Sequence, residues 1–297
     1  AGLRMQDDAL ADFGAYCFVW QTEHGLFAPQ SLCRAMMTLT NAAAMRQRKK
    51  DTPCFERSCI LPDLGILVAR EQPDLEKGLF LCAKAGGNGD SHNHNDVGNF
   101  VVYWNGDPIL VDVGVEVYRR NFFSGDRYKI WTMQSQYHNL PTINGIMQHE
   151  GAEYASKDVV FSTGETDSIT MEIGGAYPAE AEVESYRRRV ALNRSTRKIT
   201  LCDTWRLARA ERLQMNFMSP VKPESDEQGL RFWTESGNVL LSYDTACWRM
   251  ELETRHLTDA KLTASWGSKM HRITLTCEHL LKEGAAEFVI SGQAQGG

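Results

Sequence analysis

Hydrophobic positions change their period once along this chain. Up to about residue 50 they recur at helical spacing, with Leu10, Phe13, Cys17 and Trp20 on one stripe. Gly25 and Pro29 punctuate a loop, after which Ser31 can cap a second helix. That helix would carry Leu32, Met36, Leu39 and Ala43 on one side and end in Arg46-Gln47-Arg48-Lys49-Lys50, a basic end that suits the helix dipole. Two helices cannot bury their own apolar faces. They must pack on the rest of the chain or on sequence not included in it.

Beyond residue 54 the runs shorten and alternate. Residues 61–70, 78–84, 100–104 and 109–114 read as strands bounded by turn residues. The Asn105-Gly106 pair between the last two is a strong hairpin signal. Similar segments follow at 158–163, 168–173, 183–192, 197–206, 212–218, 230–234, 238–243, 248–255, 271–277 and 286–291, many alternating as Arg272-Ile273-Thr274-Leu275-Thr276-Cys277 does. Strands at this spacing predict a mainly β chain: a helical lead-in over residues 1–55 and a large antiparallel β-sandwich over 56–297. No internal repeat or low-complexity linker interrupts it.

Composition narrows the partners more than the fold. A hydrophobic fraction of 42% and a charged fraction of 24% are ordinary for a globular protein. The net charge of −6 gives no reason to expect nucleic acid, and an anionic substrate would have to be met by a local basic patch. No run approaches the roughly 18 apolar residues that span a membrane. The eight cysteines are scattered, form no Cys-x-x-Cys pair, and several sit in apolar strands, which leans towards free thiols. With no signal segment at the start, a cytoplasmic setting is slightly favoured; a chain opening on Ala1 rather than Met leaves localisation open. Oligomeric state is open too.

The candidate chemistry gathers in Gly89-Asp90-Ser91-His92-Asn93-His94-Asn95-Asp96-Val97-Gly98-Asn99-Phe100. In an extended conformation His92, His94 and Asp96 would share one face, a costly grouping near a core unless metal, substrate or solvent satisfies it. A solvated loop is the competing reading. Asp112 lies inside an apolar run and needs a partner, and His138 precedes Asn139-Leu140-Pro141 at the start of another strand. His94, Asp112 and His138 would make a two-nitrogen, one-oxygen set acceptable to zinc, although spacings of 18 and 26 residues match no short zinc motif.

Taken together, His92-x-His94-x-Asp96, Gly98-Asn99-Phe100, Gly106 to Gly114, Tyr118, His138-Asn139 and Asn144-Gly145 resemble the heparinase II/III family of polysaccharide lyases, and Leu64-Gly65-Ile66 with Ala69-Arg70 resembles the start of its sandwich. The family pairs an N-terminal α/α-toroid with this sandwich. The resemblance implies that His92 is catalytic, that His94, Asp112 and His138 hold one mainly structural zinc ion, and that the substrate is an acidic polysaccharide cleaved by β-elimination. Asp96 would sit behind the metal, bonded to a ligand histidine. Of two basic groups, Arg119, Arg120 and Arg127 (with Lys129) in a long loop are the better substrate-binding candidates; Arg187-Arg188-Arg189 lies in a strand that splits its side chains between faces.

The chain departs from the family pattern at its start. Residues 1–50 are too short for a toroid, and no motif licenses placing the family's catalytic tyrosine on Tyr16 or its partner on His24. The expectation is a lyase sandwich preceded by the last toroid helices and active only with the rest of that toroid. A non-catalytic, carbohydrate-binding zinc sandwich is the alternative, and a cupin-like metal oxygenase a weaker third. Nothing selects among glycosaminoglycans, alginate and other uronates.

Overall fold

A computed structural model describes residues 2–25, 31–48, 55–74, 76–90, 92–118 and 126–294. It divides into two compact units, Ala1–Phe55 and Glu56–Gly297. In the first, Asp7 caps the helix Asp8–Glu23 by accepting from the Leu10 amide, and Ser31 caps Leu32–Gln47 by accepting from the Arg34 amide. Arg48, just past the second helix, closes the pair by donating to Asp8 and Asp12.

The stripe expected to be the buried face is not. Ala15 and Phe18 are buried on the first long helix, while Leu10, Phe13 and Trp20 are exposed. The second buries no side chain, and Leu32, Met36, Met37 and Leu39 are all exposed. Two helices present only one narrow strip to each other, so most apolar positions stay outside it. Among the described residues no helix is long and apolar enough to cross a membrane.

The second unit is a β-sandwich in which every strand pair is antiparallel. One sheet has eight strands in the order Glu224–Asp226, Gly229–Thr234, Gly237–Ser242, Glu283–Ala294, Lys198–Leu207, Val183–Asn193, Thr166–Glu172 and Lys157–Ser162. A five-stranded sheet runs Ser58–Leu61, Ile66–Arg70, Leu79–Lys84, Phe100–Trp104 and Asp107–Leu110; a four-stranded one runs Trp248–His256, Lys269–Cys277, Leu213–Ser219 and Pro141–Ile143. The Val111 amide donates to the Met218 carbonyl, joining these two smaller sheets edge to edge.

Alternation explains the core. In Lys198–Leu207 the inward positions are Ile199, Leu201, Asp203, Trp205 and Leu207, and each is buried. Phe100, Phe217 and Phe288, one from each sheet, meet edge to face, Phe217 lying 6.4 Å from Phe100 and 5.7 Å from Phe288 by ring centroids. Burying each such side chain contributes about 1.5–3 kcal/mol. Trp104 lies against Gly292 so closely that a Cβ there would fall 2.0 Å from the indole nitrogen. Gly292→Ala is therefore expected to destabilise this unit by about 1–3 kcal/mol through overpacking, read as a lower denaturant midpoint with an unchanged slope; an unshifted midpoint would count against that contact.

Asn105 and Gly106 both take positive φ, 49° and 85°, the conformation a two-residue hairpin turn demands. The strand after it ends at Leu110 rather than at Gly114, because Val111 leaves the ladder to bond Met218 and the chain then carries Asp112 away.

Candidate functional site

Three irregular segments build the site, each leaving a sheet at its rim. Residues 89–90 and 92–99 are irregular, between Gly87–Asn88 and Phe100–Trp104; 111–118 follow Asp107–Leu110; and three short 3₁₀ turns, from Arg127 to Tyr137, deliver His138 to the strand Pro141–Ile143.

The first segment is a loop, not the extended run expected. His92 has φ 61°, a left-handed conformation that His adopts more readily than most non-glycine residues, and Gly98 has φ 88°. These turns separate what a strand would align. His92 is exposed, with its ring edge-on to Tyr118 at 6.3 Å. His94 turns inward, and its ring centroid lies 5.2 Å from that of His138. Asp96 is buried, where it accepts from Lys84 Nζ at 2.6 Å and receives no bond from a ligand-type histidine. Its carboxylate neutralises a lysine beneath the loop instead of backing a metal.

His94, Asp112 and His138 do converge, each offering a ligand atom within 4.8 Å of the others. His138 Nδ1 lies 3.3 Å from Asp112 Oδ2, and His94 Nδ1 lies 4.0 Å from Asp112 Oδ1. Two ligands of a tetrahedral ion, each about 2.0–2.1 Å from it, stand about 3.3–3.4 Å apart, so one pair already has that spacing and the other is slightly open. His138 is fully buried, and its Nε2 has no hydrogen-bond partner among the described residues. Buried polar atoms are rarely left so. The ligand-like spacing to Asp112 belongs to Nδ1 and the open position to Nε2, so these are separate observations about the two sides of one buried ring.

Electrostatics follow from the same contacts. Burial would raise the Asp112 carboxyl, but the neighbouring imidazoles and the Gly114 amide hold it well below the usual carboxylate range. His138 is the mirror image: burial disfavours its charge, yet Asp112 outweighs that and raises it. For His94, burial and the nearby His138 dominate and push the ring down towards the neutral, ligating form.

Two asparagines hold the group in place, and sequence reasoning assigned neither of them a role. Asn99 donates to Asp112 Oδ2 and accepts from the Asn139 amide; Asn139 donates to the Phe100 and Val111 carbonyls and accepts from the Met218 amide. Each neighbours a strand end, and Asn139 pins the seam between the smaller sheets. Their adjacency to Phe100 and His138 was the available signal.

The arginines separate. Arg119 and Arg120 lie outside the described residues. Arg127 donates from Nη2 to the Asn93 carbonyl, and Tyr128 donates to the Asn93 side chain, so both secure the loop between the two histidines. Arg188 is no surface group: it is fully buried, forked onto Asp203 at 2.9 and 2.7 Å, with Nη1 donating to the carbonyls of Gly98 and Asn139. One guanidinium thus ties the eight-stranded sheet to both histidine-bearing segments.

The family model described as Heparinase II/III-like, C-terminal, matches residues 59–295. Among solved structures, heparan sulfate lyase HepC from Pedobacter heparinus aligns with a TM-score of 0.63 at 17% identity, over 94% of this chain and 41% of that one. A heparinase III gene product aligns with a TM-score of 0.62 at 18% identity, over 85% of this chain and 38% of that one. At such identities the likeness carries the fold. The chain spans 41% and 38% of the length of these two solved chains. No curated protein matches it by sequence.

Proposed function

The chain belongs to the heparinase II/III-like C-terminal family, and on that premise we propose that it is the sandwich part of a polysaccharide lyase cleaving a uronic-acid-containing polymer by β-elimination. The observation that carries the reading is the split within one loop: His94 is turned in to Asp112 and His138, while His92, two residues away, stands exposed beside the group.

In β-elimination a base takes the proton from the carbon bearing the carboxylate. The electron pair becomes a carbon–carbon double bond as the glycosidic carbon–oxygen bond breaks, and the departing oxygen takes a proton. We assign His92 to proton transfer, a task for which an accessible imidazole suits neutral pH. His94, Asp112 and His138 would hold zinc, whose charge binds the three segments together beside His92. Arg119, Arg120 and Arg127 are assigned to the acidic polymer, the last from a guanidinium already fixed on the His92 loop. The remaining catalytic groups would come from an N-terminal α/α-toroid, of which residues 1–55 would be the last helices; the exposed Leu32, Met36, Met37 and Leu39 support that assignment.

The test is an enzyme containing this chain and its toroid, supplied with heparan-sulfate-type and alginate-type polymers and followed by the ultraviolet absorbance of unsaturated uronate. His92→Ala should lower the rate by about 10²–10⁴-fold. A wild-type rate in that variant would remove His92 from the chemistry. Saccharide binding without turnover by the unaltered enzyme would favour the non-catalytic, carbohydrate-binding alternative.

A further inference from the structure

A seven-residue helix near the end of the chain, Ala260–Trp266, reaches the rim where His92 stands. It is firmly docked. Leu262 is buried in a cluster with Val111, Val113, Tyr137, Met218, Leu257 and Met270, and Trp266 Nε1 donates to the Val113 carbonyl at 2.9 Å. Asp259 accepts from the Lys261 and Leu262 amides with one carboxylate oxygen and from the Val117 amide with the other. The helix is thereby bonded to the segment that carries both Asp112 and Tyr118.

This docking sets Lys261 Nζ over the Tyr118 ring, 5.7 Å from its centroid, and His92 also lies against that ring. Lys261 is exposed and Tyr118 is 47% exposed. Among the described residues no carboxylate lies within ion-pair distance of Lys261. An imidazole, a phenol and an ammonium therefore line one open edge, with the cation two ring contacts from the histidine. In a chain of net charge −6, an acidic polymer must be met by a local cation. An ammonium on a flexible stem can leave an aromatic face for an anion without breaking any packing.

We infer that Lys261 binds an anionic group of the saccharide held against His92, with Tyr118 as the platform between them. The inference rests on the lyase reading and adds to it a residue that binds the charge of the polymer. The shared chemistry is a sugar-borne anion, either carboxylate or sulfate.

Calorimetric titration of this chain with an unsulfated uronate oligosaccharide and with a sulfated one tests it. Lys261→Glu should weaken binding by about tenfold or more, Lys261→Ala by less, and Lys261→Arg should retain it. Unfolding curves of these variants should overlay the wild type, since the side chain is exposed. Weakening with both ligands identifies the carboxylate, and weakening with the sulfated one alone identifies the sulfate; either supports the inference. Wild-type affinity in Lys261→Glu overturns it and leaves the lyase reading standing. Failure of the unaltered chain to bind either ligand overturns the inference, while release of unsaturated uronate by the toroid-containing enzyme decides the lyase reading separately.

Discussion

Replacing His138 with alanine is expected to abolish binding of the zinc ion proposed for the sandwich, whereas His92→Ala keeps it. His138 is the fully buried member of the group, and its Nδ1 makes the 3.3 Å approach to Asp112. Without it, two donors remain, one short of the converging group. Metal analysis of the purified proteins should give one zinc ion in the wild type and in His92→Ala, and none in His138→Ala. The stability consequence is large. Metal at about a thousand times its dissociation constant contributes about 4 kcal/mol to the folded state. For a unit of this size that corresponds to a fall in Tm of about 8–16 °C on chelation. The His138→Ala protein should start near the chelated value and ignore chelator. Imidazole ligands must be deprotonated to bind, so the zinc-dependent part of Tm should shrink as pH falls below neutrality. A wild-type protein without metal, whose Tm responds to neither zinc nor chelator, would show the three residues to be an ordinary buried cluster.

What could be read from the residues alone follows the range over which each signal acts. The Asn105-Gly106 turn, the Ser31 cap and the alternating strands are local, and the structure places them where the pattern did. The triad was proposed from its donor types and supported by family resemblance, with no help from spacing, because its members come together only where three separate segments leave the sheets. The shape of residues 89–99 was misread for a related reason. Two-residue periodicity presumes extended backbone, and the left-handed turns at His92 and Gly98 break it. Nothing in the residue types announced a left-handed histidine. The helix Ala260–Trp266 was overlooked because it is short and its partners, Val113 and Val117, lie some 140 residues away, as the bonds Trp266–Val113 and Val117–Asp259 show.

Arg188 was legible in part. Alternation divided Arg187-Arg188-Arg189 between two faces, but it was Tyr186, Val190 and Leu192, sharing parity with Arg188, that marked the middle arginine as inward. Asp203 holds the matching inward position on Lys198–Leu207, and the two are direct cross-strand partners. Opposite charges on the inner parity of neighbouring strands are a signal that a search for surface basic patches passes over.

The energetic weight of that pair leads to the second large effect. Arg188→Met should destabilise the sandwich by about 3–5 kcal/mol, because it leaves a buried carboxylate with only the Tyr186 hydroxyl as a hydrogen-bonding partner. Against the usual 5–15 kcal/mol of a whole domain, that change is enough to show in expression as well as in a denaturation curve. Arg188→Met with Asp203→Leu removes the stranded charge and should recover much of the loss, since paired buried ions are often replaceable by packed apolar groups. Recovery should not be complete. The carbonyls of Gly98 and Asn139, both bonded to Arg188 Nη1, would still lose their shared donor, at about 1 kcal/mol each. Those carbonyls belong to the two segments that present His94 and His138. The double variant should therefore fold yet bind zinc more weakly than the wild type, separating the arginine's part in holding the core from its part in setting the distance between the histidines. Full recovery of both stability and zinc affinity would mean that the Arg188 bonds to the two segments do nothing beyond satisfying a buried charge.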